Sequence, residues 1–534
     1  MDLDVAVLGT GLTESIVAAA LSKAGYKVGH LDANPYYGAD DASLSVDELV
    51  QWADERTKCD AEFSPYISRQ RERFTDISYS GTVPAQSRQY ALSLCPTIVP
   101  SVGPLIDSLI ASGVSRYGGF KLLERVALYE SPGVAKPVPG NKEDIFKDKQ
   151  LSLLHKRRLM RFLMFAGGEF EDKPELQGHE QTPFPTFLKE KFSLDDTAVR
   201  AIAYAIAFCA STSDPTLPAL HRIRRYLRST GRYGPSPFLF GHYGGIGEIA
   251  QGFCRTAAVA GATYVLGRQV ISTQVVEAPP EGSRKYRVTI DELSEHIECD
   301  VLISSADYTS LLPSRPLAVS NMSVSSPGDY PVARCIAILD CPLAFTGLVA
   351  ATEPAEDPEI QDSGTSPDPQ SATVDTAVLV FPPGTVSDGS QSTAVHVLVT
   401  GEGSVSAPGG KWVIYLSMPL LDEEMKAQTP EQLLRPYLNA ALTITLPHAA
   451  EDRLEPLFML FYKQHPTTVL MPSDDESPPL LPDPSIPLYL PEMADSSVHV
   501  AEATFWRAIE QLKAADVIDS FWPPLDVVEE EDEW

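Results

Sequence analysis

Two glycines and two acids near the N-terminus have the spacing of a dinucleotide-binding site. Gly9 and Gly11 occupy the first two glycine positions of a G-x-G-x-x-G pattern, and Asp32 lies where an acid would bind a ribose hydroxyl. Glu14 stands where the pattern has its third glycine. In a working site the diphosphate binds the helix N-terminus, drawn by free N–H groups and the helix dipole. The Glu14 carboxylate would satisfy that dipole and repel a diphosphate, so we predict a degenerate motif without a cofactor.

The elements around this motif predict a βαβ unit. A strand is expected at residues 5–8, a helix at 15–24 and a second strand at 28–31. Flavin enzymes of this architecture usually carry a Gly-Asp near their last helix, and residues 489–512 contain none. The sequence also lacks a P-loop, a zinc-binding spacing and a G-x-S-x-G motif. We therefore expect no catalytic residue and no metal site, with a flavin-dependent oxidoreductase as the alternative from another functional class.

The composition excludes several classes of partner. Lys and Arg number 42 against 72 Asp and Glu, and this net charge of −30 disfavours nucleic acid and anionic membrane surfaces. The seven cysteines are an odd number without C-x-x-C spacing, and the sequence opens without a signal-peptide pattern. No apolar run approaches a bilayer span, and no prenylation box is present. These features predict a soluble cytoplasmic protein with free thiols.

The pattern along the chain predicts two structural regions. A composite α/β domain is expected from residues 1–117 and 228–534, where strand and turn patterns dominate. Residues 118–227 are rich in helix patterns and predict an inserted all-helical domain. The Pro-rich segments 351–375 and 471–487 predict a disordered surface insertion and a stiffer loop, respectively.

Five segments resemble the family of Rab GDP-dissociation inhibitors and Rab escort proteins. They are "LGTGLTES", "LDANPYYG", "SGVSRYGGFK", "EDIFKDKQLSLLHKRRLMRFL" and "GRYGPSPFLFGHYGGIGEIAQGFCR", within residues 1–270. The resemblance implies an α/β, flavoprotein-like composite domain that carries no flavin, with the helical domain inserted. The amino-acid sequences of these segments and the presence of an insertion at 351–375 resemble escort proteins of fungal type more than inhibitors. A GDP-dissociation inhibitor that recycles prenylated Rabs is the alternative within the family.

The resemblance also implies a Rab-binding platform on the α/β domain. Its residues correspond to Tyr37, Arg88, Glu248, Arg255 and Val265. Tyr37 would pack against the Rab switch region, and Arg88 would form charge-assisted hydrogen bonds. Glu248 and Arg255 are seven residues apart and would share one face of a helix. From residue type alone, Tyr37 could equally be an aromatic residue of a turn, and Glu248 and Arg255 a solvated charged pair. Inhibitors of the family carry Met where this chain has Val265.

The helical region would have two further tasks by the same resemblance. Arg161 and Phe165 would dock the transferase, on a helix within residues 151–165 that also carries other basic side chains. Residues 193–211 are apolar nearly all round and predict a buried helix that begins at Ser193 and Asp196. Its side chains would form a wall of the lipid groove. The residues assigned to prenyl binding are Ile202, Ile206 and Phe208.

An escort protein has a defined sequence of tasks in this family. It would bind newly made GDP-bound Rab GTPases and present them to the Rab geranylgeranyltransferase α/β heterodimer. It would then hold the geranylgeranyl lipid of the product until a membrane takes it, in vesicle transport. The resemblance therefore implies a non-catalytic accessory subunit, cytoplasmic with transient peripheral membrane association, and a monomer when unbound.

Overall fold

The structure is a computed structural model that describes ten stretches of the chain, which are residues 1–58, 63–138, 152–276, 284–313, 330–345, 374–445, 455–466, 479–482, 490–513 and 518–524. Its strands are β1 (Val5–Leu8), β2 (Val28–Asp32), β3 (Ser43–Leu44), β4 (Phe74–Gly81), β5 (Leu92–Ser93), β6 (Val99–Pro100), β7 (Phe120–Leu122), β8 (Arg125–Ser131), β9 (Val134–Pro137), β10 (Phe238–Gly241), β11 (Thr263–Leu266), β12 (Val270–Val275), β13 (Tyr286–Ile290), β14 (Ile297–Cys299), β15 (Val301–Ser304), β16 (Val332–Leu339), β17 (Ala377–Phe381), β18 (Val395–Thr400), β19 (Trp412–Pro419) and β20 (Phe458–Gln464).

The same stretches contain α1 (Leu12–Lys23), α2 (Val46–Thr57), α3 (Pro65–Arg73), α4 (Pro104–Ser112), α5 (Leu153–Gly167), α6 (Phe184–Phe192), α7 (Asp196–Arg200), α8 (Thr216–Ser229), α9 (Ile246–Val259), α10 (Glu423–Ala427), α11 (Pro430–Leu442) and α12 (Met493–Gln511). A π-helical turn, Ala201–Ile206, follows α7 directly.

A four-stranded parallel sheet positions the fingerprint turn. Its order is β11-β2-β1-β15, and every strand pair in it is parallel. Both predicted strands are confirmed, and α1 begins at Leu12, three residues before the predicted start. The Ala-rich middle of α1 is completely buried because its small side chains let α9 and α12 pack closely against it. The N-terminus of α1 is thereby held at the carboxyl end of β1.

A mixed eight-stranded sheet forms the second layer. Its order is β4-β20-β16-β19-β18-β17-β8-β9, with β8 and β17 parallel and the other pairs antiparallel. Its central strands β16 and β18 are mostly apolar and are buried along their whole length, as expected for a sheet covered on both faces. Helix α11 covers one face, and its N-terminus is closed by a capping box between Thr429 and Gln432.

The region predicted as a helical domain, 118–227, differs from the prediction in two ways. Strands β7, β8 and β9 occupy its first part, and β8 and β9 join the eight-stranded sheet. The predicted helix start at Ser193 is wrong, because Ser193 ends α6 in a left-handed conformation (φ 53°). Asp195 caps α7 instead, accepting a hydrogen bond of 2.8 Å from the Ala198 N–H. Helices α5 to α8 surround a core of phenylalanines, which are Phe162, Phe184, Phe187 and Phe192.

Two predicted loops lie mainly outside the residues that the structure describes. The insertion 351–375 lies outside the described residues except for its last two, and 471–487 lies outside them except for 479–482. Within the described stretches, no helix is long and apolar enough to cross a membrane. The same stretches contain no cluster of three or more His, Cys, Asp or Glu side chains arranged to hold a metal ion.

Candidate functional site

The fingerprint turn between β1 and α1 is shaped by two glycines. Gly9 has a φ of +99°, and a Cβ there would lie 2.8 Å from the Ser305 Oγ, so the turn admits only glycine. Gly11 precedes α1, and a Cβ on it would lie 2.7 Å from Oε2 of Glu14. The Glu14 carboxyl is thus folded back over the turn at the helix N-terminus. It occupies the place where a diphosphate would lie in a working fingerprint.

A second carboxylate closes the same helix N-terminus. The Leu12 N–H, one of the free donors of α1, donates to Oδ2 of Asp41 over 2.9 Å. Asp41 belongs to a short 3₁₀ turn, Ala39–Asp41, that follows the loop after β2. The chain therefore supplies its own anion to the α1 N-terminus. The Leu12 donor is already bonded and the Glu14 side chain covers the turn, so these residues do not fit a dinucleotide cofactor.

The structure corrects the charge that the sequence assigns to Glu14. Burial raises the pKa of this carboxyl to about 8, and the neighbouring charges of Asp41 and Asp307 act in the same direction. At neutral pH Glu14 is therefore mainly protonated. It excludes a diphosphate because it fills the site, and the predicted charge repulsion is a minor contribution.

Asp32 at the end of β2 is satisfied by its own loop. Its carboxylate accepts hydrogen bonds from the Thr10 N–H (2.8 Å) and hydroxyl (2.6 Å) and from the Asn34 N–H (2.8 Å) and side-chain amide (2.9 Å). Burial raises its pKa to about 6, although these hydrogen bonds lower it. Asp32 thus ties the fingerprint turn to the loop after β2, a structural role in place of the ribose contact of a working site.

That loop presents the first residue of the predicted Rab-binding platform. Tyr37 is half-buried, and its ring meets Tyr264 edge-on with centroids 5.5 Å apart. Val265 follows Tyr264 on β11 and pairs in register with Leu31 of β2. Consecutive strand residues point to opposite faces of a sheet, so Tyr37 packs on the face of Tyr264 and Val265 lies on the other face; Tyr37 and Val265 are both partly exposed.

Helix α9 carries two more residues of the platform. Glu248 lies in its first turn and Arg255 two turns later, so the prediction that a helix connects them is confirmed. Arg255 is exposed, and its guanidinium lies 4.5 Å from the ring centroid of Tyr117. Glu248 is half-buried, and this burial raises the pKa of its carboxyl above the ordinary value.

Close backbone packing brings the platform loops together. A Cβ on Gly244 would lie 2.8 Å from the Ala91 carbonyl oxygen, and one on Gly247 would lie 2.8 Å from the Asp41 carbonyl oxygen. The start of α9 is therefore pressed against both the loop after β2 and the segment after Arg88. Arg88 itself is exposed on a 3₁₀ turn, Ser87–Gln89. Two of the five platform residues, Arg88 and Arg255, are exposed, and the other three are half-buried.

Helix α5 presents a different set of side chains from the predicted one. Arg161 is exposed, with its guanidinium 5.4 Å from the ring centroid of Phe192. Phe165 is half-buried against three other phenylalanines, at 5.1 Å from Phe192 in the nearest pair. The exposed apolar side chains on this helix are Leu153, Leu154 and Met164, at 87%, 55% and 74% exposure. Sequence reasoning missed them, although Leu153, Arg157, Arg161 and Met164 recur at the helical spacing of one face.

The segment assigned to prenyl binding is not a regular helix. The Ala207 N–H donates to the Ile202 carbonyl over 2.8 Å, an i to i+5 bond that makes a π-helical turn. The predicted continuous helix over 193–211 is therefore wrong. Phe208 follows with a φ of +49° and is buried, as is Ile202, whereas Ile206 is half-buried. Ile206 and Phe208 line a cavity of only about 10 Å³.

Sequence comparisons connect this chain with one family. The profile of the family described as "GDP dissociation inhibitor" matches residues 1–352. A Saccharomyces cerevisiae protein named Rab proteins geranylgeranyltransferase component A is 33% identical over 424 residues, covering 78% of this chain and 61% of the relative. Relatives of the same name from Candida albicans and Drosophila melanogaster are 29% and 33% identical over 78% and 68% of this chain. The chain spans 59% and 66% of these two relatives, so it matches only part of their length.

Solved structures agree on the fold. A Rab GDI from Plasmodium falciparum superimposes with a TM-score of 0.61 at 19% identity, covering 96% of this chain and 98% of that structure. An oxidoreductase from Methanosarcina mazei gives a TM-score of 0.55 at 15% identity, covering 94% and 99%. At such identities the likeness concerns the fold alone. It confirms the predicted α/β, flavoprotein-like architecture.

Proposed function

Because the chain belongs to the GDP dissociation inhibitor family, we propose that it acts as a Rab escort protein. It binds newly made GDP-bound Rab GTPases, presents them to the geranylgeranyltransferase heterodimer and carries the lipidated product to membranes. The observation that carries this proposal is the likeness to relatives named component A over most of the chain. In this role the chain is an accessory subunit and contributes no catalytic residue.

The closed fingerprint supports a binding protein over a flavin enzyme. The α1 N-terminus is bonded to Asp41 and covered by Glu14, so a dinucleotide would have to displace both. The tight turn at Gly9 then serves to hold β1, α1 and the loop after β2 in one rigid body. That loop carries Tyr37, so the former cofactor site positions a surface contact.

The platform supplies the Rab contact in this proposal. Arg88 and Arg255 present exposed guanidinium groups, which bind carboxylates and backbone carbonyls of a partner through directional hydrogen bonds. Tyr37 adds a partly exposed aromatic ring, and Val265 adds a partly exposed apolar side chain on the other face of the parallel sheet. Packing of Tyr37 on Tyr264, and of Arg255 on Tyr117, restricts both side chains before binding. Such restriction lowers the entropy that association costs.

Helix α5 supplies the transferase contact. Arg161 and the exposed apolar residues Leu153, Leu154 and Met164 lie on this helix, and Arg and Met are enriched at protein interfaces. Phe165 supports the helix from within, because it packs against the phenylalanine core. The Rab platform and this helix surface are separate parts of the chain, so one molecule can hold both partners.

Lipid binding requires the helical region to open. A geranylgeranyl chain has twenty carbons, and at ~0.8 kcal/mol per buried carbon it represents more than ~10 kcal/mol of exposed apolar surface. The cavity of about 10 Å³ at Ile206 and Phe208 has room for about one water molecule. In the proposal Phe208 closes a groove walled by Ile202 and Ile206. The π-helical turn is the place where the wall changes shape, since such turns mark functional sites in many helices.

The alternative within the family is a GDP-dissociation inhibitor. The two roles differ in the state of the Rab that is bound, because an escort protein takes the newly made Rab and an inhibitor takes the prenylated one. Titration of a GDP-bound Rab, with and without its lipid, distinguishes them. Tight binding of the unmodified Rab supports the escort role. Binding that requires the lipid assigns the chain to the inhibitor role instead.

A further inference from the structure

A buried histidine lies between the closed fingerprint and the Rab-binding platform, and the proposed function gives it no role. His30 lies on β2 with none of its side chain exposed, and it pairs in register with Tyr264 of the neighbouring parallel strand β11. The two rings are in contact, with their centroids 5.1 Å apart. Because Tyr37 meets the other side of this contact at Tyr264, the three rings form one continuous row from the buried sheet to the platform.

The hydrogen bonds of His30 fix which ring nitrogen carries its proton. Nε2 lies 2.5 Å from the carbonyl oxygen of Gly9, and a carbonyl oxygen can only accept, so Nε2 carries the proton and donates. Burial lowers the pKa of His30 to about 4, so the ring is neutral at pH 7. A neutral imidazole protonated at Nε2 has a lone pair at Nδ1. His30 therefore offers an acceptor to the Tyr264 hydroxyl.

The Tyr264 hydroxyl is the donor that meets this lone pair. It lies 3.3 Å from Nδ1 of His30, and it also interacts with the Cys254 thiol of α9. A thiol sulfur is a weak acceptor, so the hydroxyl proton goes to the imidazole nitrogen. The half-buried phenol ring is thus held from its neighbouring strand and from the helix that covers it.

The other end of this row is the fingerprint turn itself. The Gly9 N–H donates to the Leu31 carbonyl over 2.7 Å, and the Gly9 carbonyl accepts from His30. Both polar groups of this glycine are therefore bonded to β2. The turn and the histidine hold each other in place, so the position of Nδ1 depends on the closed fingerprint.

We propose that His30 is a positioning residue of the Rab contact. It holds the Tyr264 ring through its Nδ1 lone pair, and the Tyr264 ring holds Tyr37 in the orientation that meets the partner. His30 is fully buried and does not touch the Rab itself. This inference rests on the proposed function, and it gives the fingerprint turn a task in binding, because a surface ring that is oriented in advance loses less entropy on association.

Two variants interrupt the row and leave the core filled. Tyr264→Phe removes only the hydroxyl, and His30→Gln keeps an amide donor for the Gly9 carbonyl but removes the Nδ1 acceptor. Each should raise the Kd of a GDP-bound Rab about threefold to tenfold in calorimetry, the range for one neutral hydrogen bond. Tyr437→Phe on α11 is the matched control, because it removes a buried hydroxyl that accepts from the Ser390 N–H over 2.7 Å. It should leave the Kd unchanged.

A double-mutant cycle separates positioning from a general effect on the fold. In a Tyr37→Ala background neither variant should raise the Kd further, because the ring that it would misplace is gone. An equal rise in both backgrounds would mean that His30 acts by another route, and it would overturn the proposal. A Kd unchanged by both variants, although Tyr37→Ala raises it, would overturn the proposal as well. Tyr264→Phe decides the matter alone if His30→Gln does not fold.

Fluorine NMR of the free chain gives a readout that needs no Rab. With a fluorine label on the Tyr37 ring, Tyr264→Phe and His30→Gln should each shift and narrow the signal as the ring gains mobility, and Tyr437→Phe should not. If no Rab binds the unaltered chain, the proposed function fails, and this signal still shows whether His30 positions Tyr37. A signal that neither variant changes overturns the inference itself.

Discussion

Replacing Glu14 with Gln should change how the stability of this protein depends on pH. The Glu14 carboxyl is 8% exposed, and burial raises its pKa from the ordinary 4.5 to about 8. The folded protein therefore holds this proton more tightly than the unfolded chain does. Its contribution to stability is complete below pH 4.5 and is lost as the pH rises through about 8. The neutral amide of Glu14→Gln has no proton to lose in this range.

The size of the effect follows from those two pKa values. Each pH unit between them costs the folded protein about 1.4 kcal/mol. Glu14 therefore destabilises the fold by on the order of 3 kcal/mol at pH 7, and by on the order of 5 kcal/mol above pH 8. Between pH 6 and pH 9 the difference in unfolding free energy should move in favour of Glu14→Gln by on the order of 3 kcal/mol. Other titrating groups are common to both proteins and cancel in the difference.

Urea denaturation at pH 6, 7, 8 and 9 measures this difference, followed by tryptophan fluorescence. Glu190→Gln on α6 is the matched control, because Glu190 is exposed and its removal should leave the pH profile unchanged. A constant difference between Glu14→Gln and the unaltered chain across this range would refute the reasoning. It would mean that the Glu14 carboxyl is ionised in the folded state at neutral pH.

Three further predictions test the surfaces and the closed fingerprint. Tyr37→Ala and Arg255→Ala should each weaken binding of a GDP-bound Rab by on the order of 1–4 kcal/mol in calorimetry, with unchanged melting temperatures; unchanged affinity in both would remove the platform assignment. Arg161→Glu combined with Met164→Asp should abolish transferase capture in a pull-down while Rab capture persists, and loss of both partners would mean that α5 serves the core. Glu14→Gly should yield a colourless protein without flavin absorption, since Asp41 still bonds the α1 N-terminus. Stoichiometric flavin uptake would contradict the conclusion that the residues around the fingerprint turn do not fit a dinucleotide.

The strand and turn near the N-terminus could be predicted because the local sequence pattern there agrees with the tertiary packing. An apolar run at Val5–Leu8 followed by Gly9 and Gly11 is typical of a buried strand and a tight turn, and the structure has both. The side chain of Glu14 could be recognised as incompatible with a dinucleotide. Its protonation could not, because the raised pKa comes first from burial in the folded chain and then from the nearby charges of Asp41 and Asp307, and Asp307 is far away in the sequence.

The helical region shows where sequence patterns were insufficient. Phe165 and Met164 are adjacent apolar residues on α5, and only the packing of α6 decides that Phe165 is half-buried and Met164 exposed. The segment Ala201–Ile206 has a composition that favours an α-helix, yet it forms a π-helical turn. The buried Phe208 that follows has a left-handed backbone and packs against Phe238 of β10, a tertiary contact that local propensity does not encode.

Reconstituted prenylation tests the central claim most directly. A purified GDP-bound Rab, the geranylgeranyltransferase heterodimer and labelled geranylgeranyl diphosphate are combined with and without this chain. The escort role predicts that label enters the Rab only when the chain is present, in proportion to its amount until the Rab is saturated. Incorporation at the same rate without the chain, or none in its presence although it binds the Rab, would contradict the role.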